Sequence, residues 1–530
     1  MRNAVVLQQE PRPERINIGN GLVMRWSTRQ DTENIADCLA EAFRWENMGQ
    51  RVSEKGVPDK NEHITAAIGR LLSGKHVVMS EYDIALVEDT NVLRGQPGKN
   101  PVVAAICMQQ MAGYYCSINI TYGALGAVGS LPEYRNRGLI RKLFLDMMHP
   151  VADKQGDLMT FIIGIPHFYR LFGYEYAVPH KFGRALKDVS SAIPSLPNTE
   201  SIELFALREA TPADLPYLVQ MTTPERLHCN AQLGLYYGQA FWTYIVEVLT
   251  PKATENYHDA HHHAGIVVDM KTGHDIGVSL TSNVAGRWVW EAFSLDPDQT
   301  QERAATYKDV MPSILRQLKT FDRPYYECYN AKLNDNVLPA ESDTTRRERG
   351  QFGPLQFSDL MINLTKHHPV TKILDSQGKL APERSVPFRL YTRIPSLPRW
   401  IEKIAPVLEE RLKCSAMKGI SAKIELDFYR RLEGMSGRGL EIVFKRGKFI
   451  FKEQRGLKGM ADISTAKDGE CILFRGGFAP LKFTRLVTGT MDVSELLQRD
   501  SENYVADGET KMMLEVLFPK VDHFVDLFWW

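Results

Sequence analysis

In the stretch YRNRGLIRK, Tyr134–Lys142, Arg135, Arg137 and Arg141 surround Gly138. The stretch lies where an apolar strand pattern, ALGAVGS, hands over to a helical one. A helix start leaves backbone N–H groups unpaired and carries a partial positive charge, so it favours anions. A glycine in that turn lets the backbone approach a ligand closely, and arginines add charged donors. Phosphate binding is the chemistry such a set would serve. The same residues would also make the charged start of an ordinary surface helix, because R-x-x-G tetrapeptides are common.

Tyr169, in FYRLFGYEY, is a second candidate. With a reference pKa of about 10 it is protonated at neutral pH and can give up a proton, although a packed aromatic would read the same way. HDAHHH, residues 258–263, invites a metal, since imidazoles are common ligands. Only Asp259 stands near it at ligand spacing, so an exposed hairpin loop is the simpler reading and no metal is expected. Glu46 follows the first helix and reads as solvated surface, or as part of an acceptor pocket.

The elements that must hold these residues follow from periodicity. Ile35, Cys38, Leu39 and Phe43 fall on one helical face, with Asp31 or Thr32 placed as a cap. DIALVED and PVVAAICMQQ read as strands joined by a turn-rich loop. Leu139, Ile140, Leu143, Phe144, Met147 and Met148 recur at the spacing of one buried helical face, and LMTFIIGIP is the next strand. The glycine loop thus lies at a strand-to-helix junction.

Near residue 200 the pattern restarts. Arg25 and Asp31 are echoed by Arg208 and Asp214 at the same spacing, and Ser294-Leu295 aligns with Ser130-Leu131. This is an internal repeat of domain size. In the second copy Gln301 replaces Arg137 and Glu302 replaces Gly138, which points to a kept fold and a lost ligand. After residue 386 the composition changes: SLPRWIEKIAPVLEERLKC is an amphipathic helix, and LEIVFKRGKFIFK is a hairpin turning at Arg446-Gly447. The chain of 530 residues is expected to form units at 20–185, 200–385 and 386–530. Their class is α/β for the repeats and α+β for the last.

Lys+Arg and Asp+Glu both number 64, which gives no bulk charge for a nucleic-acid partner. No apolar run approaches the roughly 18 residues of a membrane span. Seven scattered cysteines without a C-x-x-C pair fit a reducing, cytoplasmic setting.

Taken together, VGSLPEYRNRGLIRKL and FYRLFGYEY resemble the GNAT (Gcn5-related) N-acetyltransferases, and more closely their enhanced-intracellular-survival (Eis) branch. APVLEERL and LEVLFPKVDHF resemble the sterol-carrier-protein-like domain that closes that branch. Ile140 stands where the wider family has Gly or Ala, and agrees with the branch.

The resemblance implies tandem GNAT folds, mixed sheets flanked by helices, with the second degenerate. It implies acetyl-CoA as co-substrate and a primary amine, on a small molecule or a lysine, as acceptor. Val128, Gly129 and Ser130 would hold the pantetheine arm, and Asn136, Arg137, Gly138, Leu139, Ile140 and Arg141 the pyrophosphate. Gly164 and Ile165 would flank the coenzyme on its other side. Tyr169 would be the general acid, and Trp530 would bring a carboxylate to the site. VDLFWW carries two tryptophans beyond the aspartate-x-phenylalanine ending of relatives, which leaves the register of that carboxylate open, or makes the tail a packed surface element. A hexamer is implied by the resemblance alone. The competing reading is a lipid- or partner-binding protein in which both folds are scaffolds.

Overall fold

The computed structural model describes residues 15–43, 62–180, 183–187, 193–196, 202–227, 231–249, 261–299, 305–321, 360–382, 389–450 and 467–525, with short gaps inside some ranges. The first part of the chain supplies β1 (Ile16–Gly19), β2 (Leu22–Trp26), β3 (Ile84–Asp89), β4 (Val102–Tyr115), β5 (Ile118–Ser130), β6 (Met159–Ile162) and β7 (Glu175–Pro179). The middle supplies β8 (Arg184–Ala185), β9 (Phe205–Glu209), β10 (Leu233–Leu235), β11 (His261–Asp269), β12 (Asp275–Val284), β13 (Arg287–Leu295) and β14 (Met361–Ile362). The last part supplies β15 (Arg389–Arg393), β16 (Ala422–Asp427), β17 (Gly439–Lys445), β18 (Lys448–Ile450), β19 (Lys467–Asp468), β20 (Cys471–Gly477), β21 (Tyr504–Val505) and β22 (His523–Phe524).

These strands form three mixed sheets, in the orders β1-β2-β3-β4-β5-β6-β15-β7, β8-β14-β13-β12-β11-β9 and β18-β17-β16-β20-β19. β10 joins the first sheet along β4, β22 lies parallel to β10, and β21 joins the third along β20. β4 is buried along nearly its whole length, which explains why its sequence reads as a continuous apolar run without alternation. The helix Thr32–Ala42 packs on β4 and β5. The helix that begins after Gly138 runs through Leu139–Lys142, a π-helical turn at Leu143–Met148 and His149–Gln155.

The internal repeat is visible in its ion pairs. Arg25 grips Asp31 with two hydrogen bonds of 2.8 Å, and Arg208 grips Asp214 at 2.9 and 2.8 Å. In both copies the aspartate closes a capping box with a threonine three residues earlier, Thr28 or Thr211.

The repeats also trade their closing strands. In the first sheet β5 and β6 are parallel, and the next strand is β15, antiparallel to β6. In the second, β13 and β14 are parallel, and the next strand is β8, antiparallel to β14. Arg389–Arg393, which the sequence puts at the head of the last unit, is therefore a strand of the first sheet. Arg184–Ala185, at the tail of the first unit, belongs to the second. Sheet membership follows the hydrogen-bonding edge left open beside β6 and β14, which local periodicity does not encode.

The last part of the chain is anchored to the first as well. In the helix Leu397–Lys413, Trp400, Ile401, Ile404, Leu408 and Leu412 are buried as the stripe predicts. Trp400 meets Tyr115 of β4 edge to face at 5.1 Å. The hairpin β17–β18 turns at Arg446 and Gly447, both with positive φ. Beyond β22, Val525 forms a parallel bridge with His180. No helix among the described residues is long and apolar enough to cross a membrane.

Candidate active site

The site begins where two parallel strands part. The last pair between β5 and β6 is Leu125 with Ile162. Past it, β5 stays with β4 through Ser130, while Ile163, Gly164 and Ile165 leave the sheet. At the same level β5 carries a bulge: Cys107 pairs with Gly126, but Ala105 pairs with Gly129, so Ile106 faces both Ala127 and Val128. Ala127 has φ of 45°. A bulge leaves its extra residue without a ladder partner, and here it does so at the mouth of the divergence. Gly129 has a packing reason for lacking a side chain, since a Cβ would lie 2.8 Å from Ala42 and 3.0 Å from Leu39.

The glycine loop follows directly. Asn136 and Gly138 both have positive φ, 61° and 72°, and a Cβ on Gly138 would meet nothing within 4 Å. Residues 135–138, Arg141 and Lys142 are exposed, while Leu139 is buried. The loop is held from below by Tyr134, whose hydroxyl donates to Asp89 Oδ2 at 2.7 Å. Burial raises the Asp89 pKa, but hydrogen bonds from Tyr134 and Asn91 outweigh it and hold the carboxyl below its ordinary range. The Arg137 guanidinium stacks 4.6 Å above the Tyr134 ring and donates to the Glu133 carbonyl at 2.9 Å. Among the described residues Arg135 and Arg141 form no ion pair. The loop thus presents open backbone and uncommitted cations at a helix start, a donor set that fits a diphosphate.

Tyr169 stands on the other side of the opening. It lies in a 3₁₀ turn, Phe168–Phe172, and is buried. Its ring packs directly on Gly164: a Cβ there would lie 2.5 Å from Cε2 and 2.9 Å from the hydroxyl oxygen. Phe144, from the π-helical turn, meets Tyr169 edge to face at 6.0 Å and stacks on Phe172 at 4.6 Å. Burial, with a smaller effect from Tyr391, pushes the Tyr169 pKa up to about 12. Among the described residues its hydroxyl has no hydrogen-bond partner. It is a neutral phenol packed on Gly164, just past the point where β6 leaves β5.

Of the residues singled out from sequence, Val128 to Ser130 end β5, Asn136 to Arg141 form the loop and helix start that follow, Gly164 and Ile165 lie just past β6, and Tyr169 lies in the turn after them. Trp530 and Glu46 lie outside the described residues, as do His258, Asp259, Gln301 and Glu302. His261–His263 form the start of β11, which pairs with β12. Among the described residues no group of three or more His, Cys, Asp or Glu is arranged to hold a metal.

The residues that sequence reading missed are distant in the chain. Tyr391 of β15 packs its ring 5.5 Å from Tyr169 and 5.1 Å from Tyr176, and its hydroxyl accepts from the His167 N–H at 2.6 Å. Buried Glu175 accepts from Arg170 at 2.9 Å and from Arg485 at 2.6 Å, which ties the Tyr169 turn to the last part of the chain. No local pattern marks them, because their partners come from other parts of the fold.

Residues 24–177 match the family described as the acetyltransferase (GNAT) domain. This stretch carries the acetyltransferase (GNAT) domain match. Nearly the whole chain also has the fold of several solved structures. A probable N-acyltransferase from Enterococcus faecalis is 12% identical, with a TM-score of 0.52 over 95% of this chain and 98% of that one. A GCN5-related N-acetyltransferase from Anabaena variabilis is 11% identical, with a TM-score of 0.52 over 95% and 99%. Eis1 from Mycobacterium abscessus is 10% identical, with a TM-score of 0.51 over 95% and 99%. No curated protein matches the chain by sequence. The GNAT domain thus holds the strand divergence, the glycine loop and Tyr169 within one continuous stretch.

Proposed function

We propose that this acetyltransferase is an acetyl-CoA-dependent N-acetyltransferase that acts on a primary amine of a small molecule or a lysine. One observation carries the reading: the ring of buried Tyr169 packs on Gly164, just past the last pair of β5 with β6, and beyond that pair β5 carries a bulge and leads into the glycine loop. The co-substrate supplies the acetyl group as a thioester. Backbone groups of Val128, Gly129 and Ser130 line its pantetheine arm. The N–H groups of Asn136 to Arg141, with the arginine side chains, hold its diphosphate. Gly164 and Ile165 close the opposite wall. The strand divergence aligns amine and thioester, and this fixed placement is a large part of the rate. As the new C–N bond forms and the C–S bond breaks, Tyr169 gives its proton to the departing sulfur, the acylated nitrogen loses its extra proton to water, and the tyrosinate regains one from water.

The segment that ends at Trp530, outside the described residues, is read as part of the same site. Tyr391 pairs with Ile162 and Arg389 with Pro179, so Pro179 and His180 lie at the edge of the sheet where β6 leaves β5. Val525, the last described residue, bridges His180 there. The last part of the chain, read as sterol-carrier-protein-like, serves to deliver that segment. A cytoplasmic setting and a hexamer, as in the Eis branch, complete the reading.

The test is calorimetric binding of acetyl-CoA to the full chain and to Gly138→Glu. The reading expects binding in the first and none in the second. Absence of binding to the unmodified chain would overturn it.

A further inference from the structure

The Tyr169 turn is not self-supporting. His167, which opens it, has φ of 66°, a left-handed conformation that is strained for a residue with a side chain. Such a conformation persists only when its surroundings impose it. Within the turn, Arg170 donates to His167 Nδ1 at 3.0 Å and to Glu175 at 2.9 Å. The His167 N–H itself is met by the Tyr391 hydroxyl at 2.6 Å. Tyr391 belongs to β15, the strand contributed by the chain that follows the second repeat.

β15 is fixed at three points along its length. The Arg389 N–H donates to the Tyr176 hydroxyl at 2.8 Å. Tyr391 is wedged between the rings of Tyr169 and Tyr176. Arg393 is buried and grips Asp153, near the end of the helix that starts at the glycine loop, with two bonds of 3.1 Å. A ring held this firmly sets where the Tyr169 ring can lie, with Gly164 on the facing side.

We propose that Tyr391 is a positioning residue for Tyr169, so that the chain beyond the second repeat completes the site of the first through the exchanged strand. This rests on the reading of Tyr169 as the proton donor. The hydroxyl of Tyr391 holds the backbone of the turn, and its ring holds the orientation of the donor. The GNAT domain without β15 would then be an incomplete enzyme.

The experiment is a double-mutant cycle on the full chain with Tyr391→Phe and Tyr169→Phe, reading kcat and KM for acetyl-CoA with a panel of primary amines. Tyr391→Phe keeps the ring and removes the acceptor of the His167 N–H. The expected result is a fall in kcat of roughly 10-fold to 100-fold with KM unchanged, and no further fall when it is added to Tyr169→Phe. A residue with only a structural role would lower both backgrounds by the same factor, and that result overturns the proposal. An unchanged kcat in Tyr391→Phe overturns it too. If Tyr169→Phe itself keeps full kcat, the proton-donor reading fails and the proposal falls with it, so the two failures are told apart. Amide exchange of residues 167–173 gives a readout without turnover: it should rise in Tyr391→Phe while β4 and β5 stay protected, and an unchanged turn counts against the proposal. Should Tyr391→Phe not fold, Tyr176→Phe, which removes the hydroxyl that accepts from the Arg389 N–H and so loosens β15, carries the same cycle.

Discussion

Gly164 and Tyr169 are in contact so close that a single added carbon would not fit: a Cβ on Gly164 would sit 2.9 Å from the Tyr169 hydroxyl oxygen and 2.5 Å from its ring. The ring is backed by Phe144 and Tyr391, so it cannot easily retreat. Gly164→Ala should therefore move the hydroxyl off its line, and a displacement of about 1 Å can lower the rate roughly 100-fold. Steady-state kinetics would show the loss in kcat. A kcat equal to that of the unmodified chain would mean that the ring is not held where the rate depends on it.

The elevated pKa of Tyr169 has a kinetic signature. Burial favours its neutral form and pushes it up to about 12, so the donor stays protonated throughout the accessible range. The attacking amine must lose its proton as pH rises, so kcat/KM should climb and then level. No descending limb is expected below about pH 10, the ordinary tyrosine value. A pH–rate profile in a mixed buffer of constant ionic strength checks this. A fall centred at an ordinary tyrosine pKa would show that Tyr169 is solvated or is not the donor.

Much of this was legible in the sequence because it is local. The glycine loop, the buried stripe from Leu139 to Met148 and the Trp400 stripe depend on residues within one or two turns of each other. The repeat was legible through Arg25–Asp31 and Arg208–Asp214, whose fixed spacing builds one capping box twice. The strand exchange was not legible: RLYTR in β15 is a plausible strand in any sheet, and only the open edge beside β6 assigns it to the first. The same holds for Tyr391, and for Glu175 with Arg485, whose pairing joins chain segments that are remote in sequence. The divergence of β5 and β6 was equally hidden, since LMTFIIGIP gives no sign that pairing ends at Ile162.

The two capping pairs should differ in their contribution. Asp31 has no exposed side-chain surface and Arg25 is 12% exposed, whereas in the second pair Asp214 is 12% and Arg208 38% exposed. Removing one member of a buried pair costs about 3–5 kcal/mol, while exposed pairs are worth about 0–1 kcal/mol. Asp31→Asn should thus strip amide protection from Thr32–Ala42, and Asp214→Asn should affect Leu215–Met221 only modestly. Hydrogen exchange on the two variants compares them directly. Equal losses in both helices would contradict this ranking.

Two buried histidines should make the fold acid-sensitive above the carboxylate range. Burial, with nearby Arg393 adding to it, lowers the His149 pKa to about 3. His368 is lowered to about 4 by burial, which outweighs the hydrogen bond to the Phe293 carbonyl. His149 Nδ1 is buried with no hydrogen-bond partner among the described residues, so a proton added there would find nothing to receive it. Unfolded, each ring takes up its proton near pH 6.5. Between that value and the lowered native ones the unfolded chain binds more protons, so stability rises with pH and is lost as pH falls. At about 1.36 kcal/mol per pH unit for each group, roughly 2 kcal/mol per histidine is lost by pH 5. His149→Gln cannot titrate, so its unfolding temperature should drop less between pH 7 and pH 5 than that of the unmodified chain, whatever its stability at pH 7. Parallel drops in the two proteins would show that His149 is already protonated in the native state, or that the acid sensitivity has its source elsewhere.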